Sequence, residues 1–178
     1  SLQRIGATVP SNYPSRWSGA AAPTPGAPNA VAQCPPPPLP VPSVAISEIY
    51  YHTPDGTDAA HEFVELVNTT GSTIDLRGYN FTQGIAFTFL QSTPVAPGGY
   101  IVVCRHEASA RADFGITNTV GDFTGSLADG GERITLVDAM GELADSVRYE
   151  DSGEWPVGAD GLGYSLEKIV ATAPSDDP

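Results

Sequence analysis

Three acidic side chains stand close together in the stretch TPDGTDAAHE (residues 53–62): Asp55, Asp58 and Glu62. With backbone carbonyls beside them, they could ligate calcium, a hard cation that takes oxygen donors. Their spacing is not that of an EF-hand loop, which places acids at alternate positions and closes on a glutamate. A second acidic stretch, residues 150–154 (EDSGE) with Asp160, offers the same chemistry. The plainer reading of both stretches is solvated loop acid. A third reading has these acids attract a cationic neighbour, such as the segment carrying Arg4 and Arg16.

Catalysis needs a more specific constellation. His52, His61 and His106 are scattered, and neither a GxSxG nor an HExxH pattern occurs. Carboxylate pairs arise by chance in acid-rich loops, and the single step from His61 to Glu62 is a weak signal. The sequence therefore reads as non-catalytic. Two cysteines, Cys34 and Cys104, without a CxxC, are too few for a common zinc site. They could form a disulfide that staples one end of the chain to the rest, which implies an oxidising compartment. Alternatively both are free thiols, with Cys104 buried beside Val102 and Val103. Asn68 and Asn80 match the N-glycosylation pattern and read as turn residues.

Charge and proline divide the chain into two parts. Of 178 residues, the first 42 hold Arg4, Arg16, no acid and 11 of the 17 prolines. The remainder holds all 21 acids against six bases, and Lys168 is the only lysine. So acidic a surface excludes nucleic acid as the main partner, because phosphate neutralisation needs clustered Lys and Arg. No window approaches the roughly 18 apolar residues of a membrane span. Residues 35–38 are four consecutive prolines, which favour a semi-rigid polyproline II spacer.

From residue 43 onward the pattern is that of strands and turns. VAISEIYY (44–51), EFVELV (62–67), ITLV (134–137) and LADSVRY (143–149) are short apolar-rich runs, the last two flanking a hairpin turn. Ile85, Phe87 and Phe89 alternate with small or polar residues, as in a strand with one buried face. Residues 106–113 allow one or two helical turns. Strands at this spacing predict an all-β antiparallel sandwich behind an extended, Pro-rich N-terminal arm.

One internal repeat changes the domain plan. SLQRIGATVPSNYP (1–14) recurs as SLEKIVATAPSDDP (165–178), with eight of fourteen positions identical. The chain is thus expected to open on the closing piece of one domain and to stop at the same piece of the next.

The ordered set IxEIYY (46–51), EFVEL (62–66), IDLRGY (74–79), APGGYIVV (96–103), FTGSLADGGERITLVD (123–138), Trp155–Pro156 and GYSLEKI (163–169) resembles the lamin-tail domain family, in its bacterial secreted form. The resemblance implies an immunoglobulin-like antiparallel sandwich. It also implies that residues 1–29 correspond to a last strand and its exit. The expected organisation is a closing strand and exit over residues 1–30, a linker over 31–43, and a C-terminally incomplete sandwich over 44–178.

Function is then expected at the joint. In the first reading, residues 1–30 of one copy add a strand to the open edge of another, as in a fibre or tandem array outside the cell. Leu2 and Ile5 are the apolar anchors, Trp17 packs at the exit, and Arg4 and Arg16 meet an acidic globule. In the second, the domain is an accessory module that binds a protein, cell-wall or carbohydrate surface within a larger secreted hydrolase or adhesin. That reading wants exposed tyrosines, among Tyr13, Tyr50, Tyr51 and Tyr79, on one face. Beyond calcium, neither reading involves a cofactor.

Overall fold

Runs such as Val44–Tyr50 and Phe63–Asn68 are rich in β-branched and aromatic residues and bounded by turn formers, so they pair as strands. The computed structural model describes residues 2–4, 17–19 and 41–173. The chain divides into two units, Ser1–Pro40 and Val41–Pro178, with the boundary inside the segment read as a linker. In the first unit, β1 (Leu2–Arg4) and β2 (Trp17–Gly19) pair antiparallel, with Leu2 opposite Gly19, Gln3 opposite Ser18 and Arg4 opposite Trp17.

The second unit contains β3 (Val44–Tyr50), α1 (Asp58–His61), β4 (Phe63–Asn68), β5 (Ile74–Asp75), β6 (Asn80–Gln83) and β7 (Pro94–Val95). It continues through β8 (Tyr100–Cys104), α2 (Glu107–Phe114), β9 (Thr119–Val120), β10 (Glu132–Val137), β11 (Leu143–Tyr149) and β12 (Leu166–Glu167). One sheet has the order β12-β3-β4-β8-β9, a second β11-β10-β6, and β5 pairs with β7. Val64, Leu66, Ile101 and Val103 from the first sheet and Phe81, Ile134, Leu136 and Tyr149 from the second bury one shared core. This is the expected sandwich, with period-2 alternation deciding which side chains enter it.

The sheet is not wholly antiparallel, because β9 runs parallel to β8. A parallel neighbour needs a crossover connection, and α2 supplies it. His106 caps that helix by accepting from the Ser109 N–H, and Gly115 at φ 68° ends it. Ala110 of α2 packs on Val102 and Cys104, the outward-facing residues of β8. The short helix α1 replaces the expected loop. The Ile85–Phe89 run makes only isolated bridges, Ala86 to Thr124 and Asn80 to Thr88, although Ile85 and Phe89 are buried as their alternation requires. The turn before β10 needs a glycine at Gly131, whose φ is 94° and where a Cβ would lie 2.5 Å from the Tyr149 carbonyl oxygen. Among the described residues no helix is long and apolar enough to cross a membrane.

Candidate functional site

Among the described residues β12 is the outermost strand of the five-stranded sheet, paired with β3, Leu166 opposite Ile49 and Glu167 opposite Glu48. The Lys168 N–H donates to the Ser47 carbonyl at 2.8 Å, so the Lys168 backbone faces β3. Backbone groups alternate between edges along a strand, which turns those of Glu167 outward. Among the described residues no strand pairs with that outer edge.

A groove of about 350 Å³ runs beside it, walled by Ile46, Ile49, Val147, Trp155, Leu166 and Ile169. Ile169 is 99% exposed and the adjoining Val170 53%. Beside the groove β3 carries a bulge, where its register with β4 shifts between Ile46 and Glu48. The bulge takes the Ile46 N–H out of the ladder, and it donates instead to Asp145 Oδ2 at 2.8 Å. Asp145 sits on β11, in the opposite sheet, and is buried. Its Oδ2 also lies 3.6 Å from Lys168 Nζ. One carboxylate therefore ties the two sheets together and anchors the chain just after β12.

The outer face of the same edge is acidic. Glu167, Glu48 and Glu65 stand opposite one another across β12, β3 and β4. Burial pushes the Glu65 carboxyl pKa up, and the neighbouring Glu48 and Glu167 charges push it further; a hydrogen bond from Ser47 opposes them. Like charges directly opposite on a sheet repel, and a cation or a covering strand relieves them.

The sequence-predicted residues fare unequally. Leu2, Arg4 and Trp17 fall in strands β1 and β2, which pair with one another. Ile5, Arg16 and Cys34 lie outside the described residues. Cys104 carries a free thiol, fully buried, with its pKa pushed up to about 12 chiefly by burial.

The calcium set is not assembled. Glu62 is buried: its Oε1 accepts from Arg105 at 3.0 Å, and its Oε2 from the Leu127 N–H at 3.0 Å. Asp55 caps its own turn by accepting from Thr57. Asp58 instead comes near His52 and Asp129, with one donor atom of each within 4.8 Å of the others. A set containing an imidazole does not suit calcium. His52 Nδ1 shares a hydrogen bond with Asp160 at 2.8 Å, which chiefly raises the His52 pKa. His61 does not act with Glu62 but clips the two helices, bonding Thr57 through Nδ1 and Asp113 through Nε2.

Asn68 is 1% exposed, and its Nδ2 donates to the carbonyls of Ser72, Val95 and Ala96. It is a structural pin for the loops around it. Sequence reasoning missed the burial of Glu62 and Asp145, since both partners lie far along the chain.

Comparison with known families supplies the decisive observation: the family model of the lamin tail domain matches residues 37–151. The chain belongs to the lamin tail domain family. The match stops short of β12, which pairs with β3 at the edge of the same sheet. The family is one of non-catalytic immunoglobulin-like domains. The chain matches none of the curated proteins with which it was compared.

Proposed function

We propose that this lamin-tail chain is a non-catalytic structural module whose copies link head-to-tail, the arm of one copy completing the sandwich of another. The setting is an extracellular bacterial fibre or surface assembly. The observation that carries the reading is the repeat. Leu2–Arg4 and Leu166–Glu167 are counterparts 164 residues apart, each is a strand, and the second leaves an edge and a groove beside it. A joint between different surfaces of identical units does not close on itself and gives open chains. The acid-free arm and the acidic globule agree in sign with such a joint.

The binding-module reading draws less support. Tyr51 is in the core and Tyr79 is packed against it. The Tyr50, Phe63 and Phe114 rings stack on one another where α2 ends instead of forming a shared tyrosine face.

Deletion of residues 1–30 tests the proposal. Sedimentation and electron microscopy of the full chain are expected to show concentration-dependent chains, and the deleted protein a monomer. Chains that persist in the deleted protein rule out donation by the arm.

A further inference from the structure

Resting on that reading of self-assembly, we propose where the joint forms and in what register. The docking surface is the outer edge of β12 with its groove, and the occupant is the Trp17–Gly19 strand of a second copy. Within the chain, Leu2, Gln3 and Arg4 pair with Gly19, Ser18 and Trp17. Their repeat counterparts are Leu166, Glu167 and Lys168. The same pairing transferred to β12 sets Gly19 opposite Leu166, Ser18 opposite Glu167 and Trp17 opposite Lys168.

This register suits both faces. Residues directly opposite share a face of the sheet. Position 17 therefore falls on the groove side with Leu166 and Lys168, where an indole meets apolar walls. Position 19 is a glycine, opposite the buried Leu166. Position 18 falls on the other side, which sets Ser18 toward the Glu167, Glu48 and Glu65 row. The outward backbone groups of Glu167 gain a partner strand.

The exchange also has a driving force. Among the described residues β1 and β2 pair with no third strand, and a two-stranded sheet is of marginal stability in water. β12 offers nearly the same residues on the edge of a five-stranded sheet. Passing β2 from its own β1 to the β12 of another copy swaps one pairing for its repeat, which is the low-cost route of strand exchange between protomers. It covers Ile169 and the groove as well.

The test mixes two singly substituted full-length chains in a Cys34→Ser background, one with Ser18→Cys and one with Glu167→Cys, carrying tags of different mass. Mild oxidation is expected to give a disulfide-linked heterodimer, whereas Ser18→Cys mixed with Met140→Cys, at the exposed β10–β11 turn, gives none. In parallel, Ile169→Asp, at an exposed position that folding tolerates, is expected to weaken association at least tenfold, with Trp17→Ala acting in the same direction. Association without an 18–167 link overturns this site while leaving self-assembly standing. A link that appears only after removal of residues 174–178 assigns the groove to the chain's own tail and also overturns it. A monomer at every concentration removes both proposals.

Discussion

Folding moves the titration of the Glu62 carboxyl toward neutral pH. Burial raises its pKa from the ordinary 4.5 to about 7, against the lowering effects of the Leu127 N–H and Arg105. A carboxyl with a raised folded-state pKa binds its proton more tightly in the native state. The stability this confers is fully present below the unfolded value and is lost as pH rises through the folded one. Unfolding free energy is therefore expected to fall by roughly 2–3 kcal/mol between pH 4.5 and pH 7.5. Glu62→Gln, which keeps the size and cannot ionise, is expected to flatten that part of the profile in denaturant titrations across pH. Cys104 gives a second check at this scale. Its buried thiol, with the pKa pushed up to about 12, is expected to resist aromatic disulfide reagents in a Cys34→Ser variant until denaturant is added. Rapid labelling of the folded protein would contradict the burial.

Turns and bulges set the geometry of the elements. Gly131 holds a positive φ where an added Cβ would sit 2.5 Å from the Tyr149 carbonyl and 2.7 Å from Glu150 Cα, both backbone atoms. Gly131→Ala is expected to cost about 3 kcal/mol, read as a lower urea midpoint with unchanged slope. The sequence pattern GSLADGG does not by itself single out the glycine that matters. Gly125 and Gly131 have positive φ, and Gly130 does not. The bulge at Ser47 was similarly invisible. It depends on Asp145, 99 positions away, accepting the Ile46 N–H that the bulge displaces from the ladder. Helix α2 was legible because residues 106–113 are a local run of helix-tolerant residues, while its His106 cap and closing Gly115 emerge only in the structure.

At the scale of the molecule, the dispersal of Asp55, Asp58 and Glu62 bears on metal dependence. A bound structural ion raises stability by mass action, so its removal lowers the melting temperature. Melting in excess calcium and in chelator is expected to agree within about 1 °C. A larger drop in chelator would show that the acids regroup around an ion.

Sequence alone determined the sandwich, the small helix, the lamin-tail family and the repeat, because alternation, turn residues and ordered motifs are written within a few positions of one another. Only the tertiary structure decided which acids are solvated and which are buried, since the environments of Glu62 and Asp145 are made by strands distant in the chain. It likewise decided that the repeated segment ends up on an edge. Leu2–Arg4 and Leu166–Lys168 read almost alike, but one is paired to β2 and the other lies against β3 beside a groove. Edge or interior is a property of the neighbours a strand finds, and no local pattern encodes it.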